Sequence, residues 1–139
     1  MTRWIGNIEE ATGANTYFRH VLYTGQHQQL VVMCIKAGEE IGLEVHEETD
    51  QFLRIESGKG TVTMGPTQDQ VNEVHEVEAD WAFVVPAGTW HNVVNRGDED
   101  LKLYTIYAPP HHADGTIHRT KADAEAAEHP GPPKAIPAG

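Results

Sequence analysis

Short alternations of apolar and polar residues, separated by turn residues, restrict the fold of this chain more than any other feature. They run from about residue 16 to residue 108 of the 139. A period of two is typical of β-strands that bury one face, and the separators contain the glycine, proline and asparagine that turns require. Many short strands at even spacing predict an all-β antiparallel sandwich or small barrel. The predicted strands cover residues 17–23, 30–36, 43–46, 51–56, 61–64, 71–77, 81–85, 91–95 and 101–107.

The C-terminal part of the sequence has a different composition. Thr120 followed by Asp123 is typical of a helix N-terminus, so we expect one short helix that runs to about Glu128. From Pro130 onward the chain is rich in proline and glycine, which predicts an irregular tail or an arm that lies on a neighbouring molecule. The chain is therefore predicted to be one domain, with N-terminal strands or an arm over residues 1–27, a barrel core over 28–108 and a C-terminal arm over 109–139.

Charge and composition exclude several classes of function. The net charge of −11 repels phosphate backbones, so we expect no nucleic-acid partner. No apolar run approaches the ~20 residues of a membrane span, and the first residues lack the apolar stretch of a signal peptide. Cys34 is the single cysteine, so no internal disulfide can form, and a reducing compartment is expected. These observations predict a cytoplasmic protein.

Two stretches carry side chains that could converge on a metal ion. Glu44 and His46 are two residues apart on a predicted strand and so point to the same face, and Gln51 follows near the start of the next strand. The second stretch, PAGTWHNVVN at residues 86–95, has a sharp Pro-x-Gly turn that directs His91 back toward the barrel. Nine histidines in the chain agree with metal chemistry.

Together these stretches resemble the signature of the cupin superfamily. Its first motif reads Gly, five residues, His-x-His, three or four residues, Glu, six residues, Gly; its second reads Gly, five residues, Pro-x-Gly, two residues, His, three residues, Asn. The second motif fits from its proline to its asparagine, with Asp80 in the leading glycine position. The first fits in spacing, with Glu44 in place of the first histidine and Gln51 in place of the glutamate. The resemblance covers about residues 28–108 and implies a double-stranded β-helix, a jelly-roll-like small barrel that commonly forms a homodimer.

The resemblance also implies one divalent metal ion held by Glu44, His46, Gln51 and His91. Two imidazoles with one carboxylate is the donor composition of the facial triad in non-haem iron enzymes. Gln51 would supply a neutral amide oxygen or a hydrogen bond to a bound water. Such a mixed nitrogen and oxygen set suits Mn²⁺, Fe²⁺, Zn²⁺ or Ni²⁺, and the sequence does not choose among these ions.

Other polar residues give weaker signals. Arg54 and Glu56 are expected to face outward as surface or dimer-interface charges. Residues 111–118, with His-His-x-Asp and a further histidine, have the composition of a metal site without its spacing. This favours a solvated polar loop over a loop that folds across the barrel opening. Cys34 is expected to be a buried structural thiol.

Two functions remain open at the level of sequence. The first is a metal-dependent enzyme of isomerase, dioxygenase or decarboxylase type, which acts on a small oxygen-rich metabolite that chelates the ion. The second is a non-catalytic module that binds or senses a metal or a small ligand. No basic cluster that would hold a sugar phosphate lies near the two motifs.

Overall fold

The computed structural model describes residues 3–128, and the predicted Pro/Gly-rich tail lies outside these residues. Every predicted strand except 43–46 coincides with a strand of the structure, which confirms the all-β class. In chain order the elements are α1 (Ile8–Ala14), β1 (Arg19–Thr24), β2 (Gln29–Ile35), β3 (Asp50–Ser57), β4 (Lys59–Gly65), β5 (Glu73–Glu78), β6 (Ala82–Val85), β7 (Trp90–Val94), β8 (Leu101–Ala108), β9 (Ile117–His118) and α2 (Lys121–Glu128).

The strands form two antiparallel sheets in a jelly-roll-like double-stranded β-helix. The larger sheet has the order β6-β3-β8-β2-β1-β9, and the smaller has the order β5-β4-β7. Strand β8 pairs with both β2 and β3, so strands far apart in sequence become neighbours at the centre of the larger sheet. The predicted barrel is therefore confirmed.

The core lies between the two sheets and follows from the alternation in the sequence. Along β8, every second residue from Leu101 to Tyr107 is buried, and β3 shows the same pattern. Val62 and Val93 of the smaller sheet close the core from the opposite side. Full burial of such a side chain stabilises the fold by about 1.5–3 kcal/mol, so the alternating apolar residues stabilise the packing of the two sheets.

The short helix α1 was not predicted from the sequence, and it lies against β8, β3 and β2. Its N-cap is Asn7, whose side-chain oxygen accepts a hydrogen bond from the Glu10 backbone N–H at 3.0 Å. The prediction of α2 is confirmed, since the Thr120 hydroxyl caps it by accepting from the Asp123 N–H at 3.1 Å. Within residues 3–128, neither helix has the length or the apolar character needed to cross a membrane.

Residues 40–46 run beside β7 without forming a regular strand, which corrects the prediction of a strand at 43–46. The chain makes single bridges there, between Glu40 and Val94 and between Glu44 and His91. The latter bridge has both backbone hydrogen bonds, Glu44 N–H to His91 O at 3.0 Å and His91 N–H to Glu44 O at 2.9 Å. The backbone therefore fixes Glu44 directly opposite His91.

After β8 the chain turns back across the end of the barrel. We call residues 109–118 the strap; its last two residues form β9, which pairs with β1. The Val21 N–H also donates to Thr116 O at 2.9 Å. These bonds hold the strap against the edge of the larger sheet.

Candidate metal centre

Glu44, His46 and His91 bring three possible ligand atoms together inside the barrel, all within 4.8 Å of one another. The Glu44 Oε2 atom lies 3.4 Å from His46 Nε2 and 3.5 Å from His91 Nε2. Both separations exceed the 2.7–3.2 Å range of good hydrogen bonds. The two histidines are 7% and 2% exposed, so water reaches them poorly. The three side chains are thus close enough to share one ion without being bonded well to each other.

The turn before β7 sets the orientation of His91. Gly88 has a φ of +82°, which favours glycine, and its N–H donates to His46 O at 2.9 Å, so the turn is joined to the other histidine. His91 Nδ1 lies 2.9 Å from Thr89 O, and because a carbonyl only accepts, Nδ1 carries the proton. The Nε2 lone pair is then directed at the cluster, as in metal-binding histidines.

His46 is held in a different way. Among the described residues, neither of its buried ring nitrogens has a hydrogen-bond partner. Three rings surround it instead, with centroids 5.6 Å away at Tyr107, 5.3 Å at His91 and 4.2 Å at His111. Buried polar atoms without partners are costly, and a bound ion would satisfy the ring nitrogen that faces Glu44. The donor set therefore fits a metal ion.

Glu44 is ionised in this environment. Burial raises the pKa of its carboxyl group, but the neighbouring His46 and His91 more than offset that effect and hold the pKa well below its ordinary value. The group is thus available as an anionic ligand at any physiological pH.

Gln51, the fourth ligand implied by the resemblance, is almost fully buried on β3. Its Nε2 donates to Thr105 Oγ1 at 3.0 Å, and its Oε1 is buried without a partner among the described residues. The amide oxygen is therefore the atom that remains for an ion or a bound water. The role of Gln51 as a ligand stays a prediction.

The strap lies beside this cluster, and the prediction of a solvated polar loop holds for His111 and residues 113–115, which are exposed, whereas His112 is half-buried. Both backbone N–H groups of this pair donate to Oε1 of the buried Gln29, at 3.1 and 2.9 Å, and these bonds fix the backbone of the pair to β2. A cavity of about 340 Å³ lies between the strap and the cluster. Its lining residues are Glu44, Val45, His46, His111, His112, Ala113, Thr116, His118 and Ala127.

The surroundings of the two strap histidines favour their neutral forms. Burial lowers the pKa of His111, and the nearby His46 lowers it further. Burial, with contributions from Arg19 and His111, lowers the pKa of His112 to about 3. The only signal in the sequence was the adjacent pair of histidines after Pro109-Pro110, which does not specify their position.

Arg54, Asp80 and Cys34 lie outside the cluster. Arg54, on the outer side of β3, lies 3.4 Å from Glu56 and 2.8 Å from Asp80. Asp80 stands in the leading glycine position of the second motif and has a φ of +75°, in the left-handed region that favours glycine. The backbone conformation of the motif is thus present without its glycine. Cys34 is buried and unpaired with any cysteine, as predicted.

Comparison with known proteins identifies the family. A family model described as "Cupin domain" matches residues 31–107. The chain is 56% identical over 125 residues to the uncharacterized protein YrkC of Bacillus subtilis (strain 168), covering 90% of this chain and 67% of that one. It is 42% identical over 115 residues to the uncharacterized protein L612 of Acanthamoeba polyphaga mimivirus, covering 82% and 70%.

Among solved structures, the crystal structure of BH2720 from Bacillus halodurans matches with a TM-score of 0.88 and 53% identity. The match covers 90% of this chain and 95% of that one. The names of these three relatives state no reaction, so the likeness establishes the fold and the family and leaves the chemistry to be argued from the site.

Proposed function

This chain belongs to the cupin family, and we propose that it is a metal-dependent enzyme acting on a small oxygen-rich metabolite that chelates one divalent ion. The observation that carries the proposal is the convergence of two unpartnered imidazole nitrogens, of His46 and His91, on the ionised carboxylate of Glu44. An ion held there would act as a Lewis acid, a role that suits reactions of isomerase, dioxygenase or decarboxylase type.

The donor set supports Mn²⁺, Fe²⁺, Zn²⁺ or Ni²⁺. Two imidazoles and one carboxylate leave coordination positions open, and Gln51 is the candidate for one more oxygen donor. A divalent ion bound there would polarise a carbonyl group or lower the pKa of a bound water. The residues themselves would supply the ligand atoms, two of them on the buried side chains of His46 and His91.

The alternative is a non-catalytic module that binds or senses a metal or a small ligand. A purely structural ion is normally enclosed by its full set of protein ligands, whereas a catalytic ion keeps an open position. The cavity of about 340 Å³ beside Glu44 and His46 argues against a purely structural ion and leaves room for a substrate or a sensed ligand.

A homodimer in the cytoplasm is also proposed. Strand β6 ends the larger sheet within the described residues, and Trp81 and Val84 at this edge are 49% and 57% exposed. An apolar sheet edge of this kind is a common surface for pairing with a second copy. Sedimentation analysis of Val84→Lys tests it, because a dimer through this edge should dissociate, and an unchanged mass would contradict this interface.

Elemental analysis of the purified protein tests the metal centre, with wild type beside His91→Ala and His75→Ala. His75 is an exposed histidine of β5 that pairs with Glu73 and serves as the matched control. We expect about one equivalent of a transition metal in the wild type and His75→Ala, and little in His91→Ala. Absence of metal from all three after reconstitution with each ion, or equal content in all three, would contradict the proposal.

A further inference from the structure

We propose that His111 and His112 of the strap recognise the ligand, and that this ligand is unphosphorylated and carries a hydroxyl group beyond the two oxygens that chelate the ion. The inference rests on the proposed function. It concerns the strap side of the cavity, which lies outside both sequence motifs.

The first argument is the way in which the strap is fixed. Gln29 is fully buried and uses both ends of its amide. Its Nε2 donates to Thr24 Oγ1 at 2.9 Å and to His112 O at 2.7 Å, and its Oε1 accepts from the N–H groups of His111 and His112. These bonds fix the backbone of His111 and His112 even though His111 is exposed, and a recognition element must be held in one place.

The second argument is the position of the two imidazoles. The His111 ring lies 4.2 Å from the His46 ring and stacks on Tyr107, with a centroid distance of 5.6 Å. The His112 ring lies 4.8 Å from that of His111, and its buried Nε2 has no hydrogen-bond partner among the described residues. Both rings line the same cavity as Glu44. A molecule that binds an ion held by Glu44 and His46 would therefore contact both strap rings.

The third argument is the chemistry of the lining. Among the described residues that line the cavity there is no lysine or arginine, and Glu44 adds negative charge. Phosphate groups are normally bound by cationic side chains or by helix N-termini. Arg19 lies behind the lining, where it is buried and contacts His118 Nδ1 at 3.0 Å, so a phosphorylated ligand has no exposed cationic partner among these residues. A neutral imidazole both donates and accepts one hydrogen bond, which matches a hydroxyl group. The volume lies at the small end of the range for ligand pockets.

Three hydroxamates that share one chelating group test the inference. Acetohydroxamate has no further polar group, glycolohydroxamate adds one hydroxyl, and phosphoglycolohydroxamate adds a phosphate. Calorimetric titration into the metal-loaded protein should show glycolohydroxamate binding roughly three- to tenfold more tightly than acetohydroxamate, the effect of one hydrogen bond. The phosphorylated compound should bind no more tightly than acetohydroxamate.

Phenylalanine variants separate recognition from ring packing. His111→Phe and His112→Phe keep a ring in each place while removing the nitrogens, and His75→Phe is the control on β5. In one or both strap variants we expect the preference for glycolohydroxamate to disappear while metal content and acetohydroxamate affinity stay unchanged. A preference retained in both variants, tightest binding of the phosphorylated compound, or loss of metal in His111→Phe would overturn the inference.

The same experiment keeps the two proposals apart. A wild-type protein that binds no metal refutes the metal centre and the inference with it. A wild-type protein that binds metal and acetohydroxamate, without preference for the hydroxyl, refutes the role of the strap alone.

Discussion

Replacement of Gln29 by methionine should release the strap from the barrel. Methionine has a similar length and no amide, so the four hydrogen bonds to Thr24, His111 and His112 are lost together. A buried hydrogen bond contributes about 0.5–1.5 kcal/mol net, and an amide left unpaired in the interior costs about 1–3 kcal/mol. The total loss would be large if every freed group stayed buried. Strap groups that become exposed to water avoid the cost of an unpaired buried group.

We therefore expect Gln29→Met to lower the free energy of unfolding by about 2–4 kcal/mol. For a domain of this size that corresponds to a fall in Tm of about 5–15 °C. Urea unfolding followed by tryptophan fluorescence measures the first quantity and calorimetry the second. Gln28→Met is the matched control, because Gln28 is the exposed neighbour in sequence and its change should leave stability within about 0.5 kcal/mol.

Hydrogen exchange at the His111 and His112 amides shows where the loss occurs. In the wild type their N–H groups are bonded to Gln29 Oε1, so they should exchange slowly. In Gln29→Met they should exchange faster, while amides at the centre of β8 should change only as far as global stability changes. Equal protection of the strap amides in both proteins, with an unchanged Tm, would refute the view that Gln29 holds the strap.

Three further predictions concern the metal, pH and a turn. Chelation of the ion should lower Tm, because a ligand at 100 times its Kd stabilises the native state by about 2.7 kcal/mol, and an unchanged Tm in calorimetry would argue against binding. The pKa of His112 is about 3 in the fold, below the ordinary value near 6.5. Between these values the unfolded chain binds more protons than the folded chain, so stability should fall as pH drops from 6.5 toward 3. His112→Gln should make urea midpoints less dependent on pH, and an identical profile would contradict this. Gly58→Ala should lower the free energy of unfolding by more than about 3 kcal/mol, because φ at Gly58 is +90° and a Cβ would lie 2.5 Å from Asp100 O. Gly13→Ala is the control, since a Cβ there meets nothing within 4 Å. Equal urea midpoints for the two variants would contradict the prediction.

The convergence of Glu44, His46 and His91 could be predicted because its signals are local. Glu44 and His46 share a face through the two-residue period of an extended chain, and the Pro-x-Gly turn fixes the direction of His91. The alternation at 43–46 predicts a strand because an extended segment has the same period of two; the structure differs in making single bridges instead of a continuous ladder.

The helix α1 and the strap could not be predicted, for different physical reasons. The seven residues of α1 have little apolar periodicity, and their stability comes from packing on the larger sheet. The strap depends on Gln29, which lies 82 residues from His111 in the chain, and no local pattern marks a glutamine at the start of a strand as a buried anchor.

The two histidines are held by different contacts, and this difference would affect the exchange of a bound ion. His91 gains basicity from the bond between its Nδ1–H and Thr89 O, whereas His46 has no such donor–acceptor pair among the described residues and is steadied by neighbouring rings alone. Hydrogen bonds of this outer kind typically change metal affinity by 10–100-fold. If an ion is bound as proposed, we therefore expect its bond to His46 to open before its bond to His91.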